Sequence, residues 1–114
     1  MRQYRDSPSA VTFSRGRVAL PPERAVYLAE LLRAVAHPLR LRIICLLDRE
    51  ELQVGELAER LDVNQPLVSQ ALSILRMNRL VAATRHAGTA RYRLIEPALH
   101  NLLSCIVSCG KGQA

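Results

Sequence analysis

The chain has 114 residues, room for one small domain with one modest core. Its 49% apolar content excludes an intrinsically disordered chain, and the lack of any apolar run near 18 residues excludes a membrane-spanning helix. A formal charge of +6 and an isoelectric point near 10.0 point to an anionic partner, while one Phe, three Tyr and no Trp argue against an aromatic platform for single-stranded nucleic acid.

Residues 1–20 read as a flexible basic arm holding Pro8, Gly16 and four arginines, free or draped over a partner subunit. They show no apolar core with a small-residue cleavage site, so a cytoplasmic location is expected. Pro21-Pro22-Glu23 opens a helix expected to run to about Ala36, with Ala25, Leu28, Leu32 and Val35 as its apolar stripe. His37-Pro38 breaks it. Leu39 to Leu47 is a second helix, apolar except for Arg40 and Arg42.

Val54, Leu57, Ala58 and Leu61 recur at helical spacing and predict a short helix over 54–61. Gly55 fits its first turn or a close helix crossing. Asp62-Val63-Asn64 forms the turn, and Asn64 is suited to cap the next helix, with Pro66 where a missing N–H costs little. That helix is predicted over 65–77 with Leu67, Val68, Ala71, Leu72 and Leu75 buried. Gln65, Ser69, Gln70, Ser73 and Arg76 remain for the outer face. Two β-compatible runs follow, Leu80–Arg85 and Thr89–Leu94, joined by a His86-Ala87-Gly88 turn. In the second run Ala90, Tyr92 and Leu94 face the domain, and Thr89, Arg91 and Arg93 face outward. The last helix is expected from about Glu96 to Cys109, striped by Leu99, Leu102, Leu103 and Ile106 and stopped by Gly110. Residues 21–110 thus form one mainly α domain with a small β-hairpin, a winged helix-turn-helix, and residues 111–114 a tail.

This order of elements implies binding to double-stranded DNA. Between Val63 and Ile95 there is no Asp or Glu, whereas Arg76, Arg79, Arg85, Arg91 and Arg93 all lie there. A solvated helix face normally mixes acids and bases, so the asymmetry reads as an electrostatic footprint. Gln can bond an adenine edge in both directions, and Ser a base edge or a phosphate. Gln65, Ser69, Gln70, Ser73 and Arg76 are therefore the candidate groove-facing residues. Arg85, His86 and Arg91, near the wing tip, are assigned to phosphate or the minor groove. Fifteen of the sixteen basic residues are arginine, whose planar fork suits phosphate and guanine. The first and last helices are more apolar than a monomeric winged domain needs. Pairing across a two-fold axis would set two recognition helices about one DNA turn apart and require a palindromic operator.

The segments AVAHPLRLRIICLL, QVGELAERLDVNQPLVSQALSILR and ARYRL resemble the ArsR/SmtB family of homodimeric winged-helix repressors, over residues 28 to 109. The resemblance implies an effector that binds the dimer and weakens operator affinity, with the first and last helices at the dimer interface. The family's cysteine-rich E-L-C-V-C metal site has no counterpart, because Leu52-Gln53-Val54-Gly55-Glu56 holds no cysteine. Of the family's zinc site in the last helix, Glu96 survives, Ala98 stands in place of a histidine, and Gly112 falls at the last acid. His100 is read as a solvated helix residue. The branch that senses persulfides or oxidants through two cysteines does match, since Arg42-Ile43-Ile44-Cys45-Leu46-Leu47 resembles its R-L-x-I-x-C-x-L pattern. Cys109 stands nearest its second cysteine, about two residues early, and Cys105 is additional.

Two readings of the thiols stay open. Cys105 and Cys109 are four apart on one helix face, with Cβ atoms roughly 5–6 Å apart, beyond the roughly 3.5–4.5 Å a disulfide prefers. In one reading, Cys45 and Cys109 form a redox switch closed by a disulfide or by added sulfur. In the other, Cys45, Cys105 and Cys109 form a three-thiolate site for arsenite or a soft metal ion, acting as effector and not as a required cofactor. Inert structural cysteines are the plain alternative. Two further functional classes compete with DNA binding. A winged-helix protein–protein adaptor would show no salt-sensitive duplex binding. Enzyme function is not expected, since the chain has no Cys-x-x-Cys motif, no βαβ pattern and no nucleophile beside an evident base.

Overall fold

The computed structural model describes the backbone of residues 20–113 and the side chains of residues 20–106. The basic arm and the side chain of Cys109 lie outside the described residues. The element order is α1 (Pro22–Val35), α2 (Pro38–Leu47), α3 (Val54–Leu61), α4 (Gln65–Met77), β1 (Val81–His86), β2 (Thr89–Leu94) and α5 (Pro97–Gln113). This is the expected winged helix-turn-helix, with the helix-turn-helix boundaries where the spacing put them.

The chain divides into two compact units, one ending at Glu30 and one starting at Leu31. In the first, α1 opens behind the two prolines, and the Arg24 guanidinium lies 5.1 Å from the Tyr27 ring centroid. In the second, Leu31, Ala34 and Val35 are buried, whereas Leu32, assigned to the stripe, is exposed. Leu31 takes the inward place there, while Val35 keeps its expected one.

α2 is entered through a cap made by its own breaker. The His37 ring accepts the Leu39 amide at 3.2 Å, and Pro38 needs no N–H in the first turn. The Arg40 side chain donates to the Ala34 carbonyl at 2.6 Å and satisfies the end of the preceding helix. Ile43, Ile44 and Leu47 then enter the core.

α3 is capped in front by Gln53, whose amide donates to the Glu56 carboxylate at 2.8 Å, and behind by Asp62 in the left-handed region. α4 is capped by Asn64, whose side chain accepts the Leu67 amide at 3.1 Å. At its far end the Asn78 side chain donates to the Ile74 carbonyl at 2.8 Å. Leu57, Leu61, Val68, Leu72 and Leu75 bury the α3–α4 seam. Leu67 does not join them: it is 47% exposed and is corrected from the buried stripe.

β1 and β2 pair antiparallel from Val81↔Leu94 to His86↔Thr89. The turn is Ala87-Gly88, both at positive φ (52° and 79°), the two-residue geometry whose twist suits a hairpin. His86 is thus the last residue of β1 and not part of the turn. On its other edge β2 takes a second partner: Leu52 and Tyr92 exchange backbone hydrogen bonds of 3.1 and 2.8 Å. Tyr92 and Leu94 pack on the core as expected, but Thr89 and Arg91 on the opposite face are also half-buried, leaving Arg93 exposed.

α5 begins with Glu96 accepting the Ala98 amide at 3.1 Å and buries Leu99 and Leu103. Leu102 and Ile106, assigned to the same stripe, are exposed in the single chain. The helix continues past Gly110 to Gln113, so the glycine does not stop it.

Candidate DNA-reading face and cysteine site

α4 displays its polar side chains because its apolar ones are used up. Val68, Ala71, Leu72 and Leu75 anchor the helix, and Gln65, Ser69, Gln70, Ser73 and Arg76 are all exposed on the remaining surface. The Asn64 cap and Pro66 fix the first turn, the part of a recognition helix that meets base edges. Gly55 sits close by. A Cβ there would lie 3.5 Å from Gln65 Nε2, an ordinary contact, so the glycine leaves room beside this glutamine without being demanded by it.

The wing arginines have different surroundings. Arg85 is exposed at the tip and reaches the Gly88 carbonyl at 3.2 Å. His86 beside it is also exposed. Arg91 pairs across the hairpin with Thr84 and donates to the Glu51 carbonyl at 3.1 Å, in the segment that joins α2 to α3. It is half-buried, which ties the wing to the domain. Glu50, next to Glu51, pairs with Arg60 of α3 at 2.7 Å. That hydrogen bond, and Arg91 to a lesser degree, hold the Glu50 carboxyl below the usual carboxylate range. Arg79, which follows α4 at a φ of 60°, and Arg93 on β2 are exposed as well. Both belong to the acid-free stretch, outside the eight residues expected at the DNA from the sequence.

The cysteines occupy unlike settings. Cys45 is half-buried on α2 and packs against the core. Burial pushes its thiol above the ordinary range, the Asp48 carboxylate adds to the rise, and Arg49 opposes it. Cys105 is exposed on α5. Among the described residues no three His, Cys, Asp or Glu side chains gather as a metal cluster. Asp48, the C-cap of α2, lies 2.6 Å from the His100 ring on α5, so the ends of these elements touch through a polar pair. His100 is largely exposed, as read from the sequence, but it has this partner. The spacing gave no hint of the contact, because 52 residues separate the two.

Residues 37–83 match the model of the bacterial regulatory protein, arsR family. The chain is 37% identical over 103 residues to the biofilm growth-associated repressor of Agrobacterium fabrum, covering 89% of this chain and 88% of that one. The crystal structure of the transcriptional repressor BigR from Xylella fastidiosa superposes with a TM-score of 0.72 at 34% identity, over 76% of this chain and 89% of that one. HlyU from Vibrio cholerae superposes with a TM-score of 0.70 at 36% identity, over 75% and 97%. No helix of the described residues is long and apolar enough to cross a membrane. The recognition helix, the docked wing and these likenesses agree: the chain belongs to the arsR family of bacterial regulatory proteins and is a DNA-binding transcriptional repressor with a winged helix-turn-helix fold.

Proposed function

We propose that the protein is a cytoplasmic, homodimeric repressor of a palindromic operator, released when a dithiol of Cys45 and Cys109 is modified by reactive sulfur or an oxidant. The observation that carries the DNA half is the exposed row of Gln65, Ser69, Gln70, Ser73 and Arg76 on a capped helix, flanked by exposed wing arginines and free of acids. Leu102 and Ile106, apolar and exposed on α5, support pairing of two copies. The thiol half rests on Cys45, half-buried on a core helix. A bond made there acts on packing and not merely on the surface.

The chemistry balances without a metal. A low-molecular-weight persulfide passes its outer sulfur to one cysteine and leaves as a thiol. The second cysteine attacks that protein persulfide, forming the disulfide and releasing hydrosulfide; further sulfur donated before closure lengthens the bridge. With a hydroperoxide, the two thiols give up two electrons and two protons, leaving the disulfide, water and an alcohol. A bridge that favours the non-binding spacing of two recognition helices by about 1–3 kcal/mol weakens operator binding about 5- to 150-fold. A similar Vibrio cholerae HlyU, 37% identical with a TM-score of 0.68, has been solved in a form described as reduced.

The second reading has its own support: Cys105 is exposed one helical turn before Cys109, a spacing that suits a bridging arsenite ion completed by Cys45. Intact mass spectrometry of the reduced protein, exposed without air to glutathione persulfide or to arsenite, separates the two. The expected result is an intramolecular bridge between Cys45 and Cys109 with sulfur-sized mass gains. One arsenic per subunit that requires all three cysteines, with no sulfur product, would overturn it.

A further inference from the structure

Leu67 is the third residue of α4, and its backbone amide is held by the Asn64 side chain at 3.1 Å. The side chain is nevertheless 47% exposed, although the helix buries four other apolar residues efficiently. At 3.6 residues per turn, Leu67 lies about a quarter-turn from the centre of the Val68–Ala71–Leu72–Leu75 stripe. It is an i, i+3 neighbour of Gln70, and such pairs have Cβ atoms roughly 5–6 Å apart. The first turn of a recognition helix is the part that meets base edges. A branched apolar group in that place has no hydrogen bond to offer. The apolar group that the major groove presents is the thymine C5-methyl, which lies on the same base-pair edge as the adenine N6 and N7 that a glutamine reads, beyond the thymine O4.

We propose that Leu67 is a specificity-determining residue that packs on a thymine methyl, while Gln70 bonds the adenine of the same or the adjoining base pair. This rests on the reading of α4 as the groove-entering helix. The pair makes one side of the helix a reader of an A·T-containing step, and leaves Ser69, Arg76 and the wing to position the protein. The cap fixes the Leu67 backbone before DNA arrives, so little backbone ordering is left for binding.

The test begins with a duplex selected by the reduced wild-type protein from a random pool. Each thymine in the half-site is then replaced in turn by deoxyuridine, which removes the methyl and keeps the pairing. One position is expected to weaken wild-type binding about fourfold, the value of burying one methylene-sized group. Leu67→Ala should bind the thymine duplex less well and lose that methyl sensitivity, and Leu67→Met should keep it. Thermal unfolding of both variants should match the wild type, since the site is half exposed. No methyl-sensitive position, or equal sensitivity in Leu67→Ala, overturns the Leu67 contact alone. Failure of the wild type to bind any duplex overturns the DNA-reading face, and this contact with it.

Discussion

The Arg91 guanidinium donates to the Glu51 carbonyl at 3.1 Å, whereas that of Arg85 stays at the exposed wing tip. The two arginines therefore answer to different tests. Arg85→Ala should reduce the salt dependence of duplex binding by about one unit of slope and leave the melting temperature unchanged. Arg91→Ala should instead lower stability by roughly 0.5–1.5 kcal/mol, the value of one hydrogen bond, because it unties the wing from the Glu51 segment. If Arg91→Ala melts like the wild type and cuts the slope as Arg85→Ala does, Arg91 is a phosphate contact. Cys45 gives a prediction in pH. Its folded-state pKa is raised, so its contribution to stability is full below the ordinary thiol value of 9.0 and is lost as pH rises through the higher folded value. Cys45→Ala should flatten the alkaline fall in stability. At neutral pH iodoacetamide should label Cys45 more slowly than exposed Cys105 in site-resolved mass spectrometry, and equal rates would contradict this. The residue types of the site were legible in the sequence, because the acid-free stretch and the polar face need only a count. Their partners were not: Arg91 meets a carbonyl 40 residues away, and a guanidinium bonds a carbonyl or a phosphate with the same donors.

Among the elements, the helix-turn-helix was the most legible, since Asn64, Pro66 and the α3 and α4 stripes act locally and agree with one another. The ends of elements were less so. Gly110 reads as a stop, yet α5 runs on to Gln113. Leu67 is apolar like the stripe beside it, and only its angular offset from that stripe signals that it sits on the flank. The wing turn is Ala87-Gly88, one residue shorter than the expected His86-Ala87-Gly88, and it sets Ala87 at φ 52°, where Asn or Gly is usual. That mismatch is measurable. Ala87→Asn creates the Asn-Gly pair preferred by this turn and should stabilise the domain by up to about 1 kcal/mol, a rise in Tm of about 4–8 °C for each kcal/mol in a domain of this size. An unchanged or lowered Tm would show that the turn is not strained in solution. The substitution lies away from α4, so the preference among duplexes should stay the same.

At the scale of the whole molecule, the fold is a device for holding two kinds of chemistry on connected elements. α2 carries Cys45 and ends at Asp48, which meets His100 on α5; α5 carries Cys105 and Cys109. α4 packs on α2 and α3 and projects its polar face outward. Under the proposed thiol switch, a bridge at these cysteines would act on the helices that set the spacing of two recognition helices in a dimer, with no contact needed between effector and DNA. The proposed pairing of two copies has a sequence signal only in surplus apolar residues on α1 and α5, of which Leu32, Leu102 and Ile106 are exposed in the single chain. The proposed thiol switch is tested most directly by duplex affinity, by fluorescence anisotropy at fixed salt, before and after anaerobic persulfide treatment of the wild type and of Cys45→Ala. A thiol switch through Cys45 predicts a loss of affinity of about 5- to 150-fold in the wild type, reversed by a thiol reductant, and no loss in Cys45→Ala. Equal affinity of the reduced and treated wild type, with the bridge confirmed by mass, would contradict it.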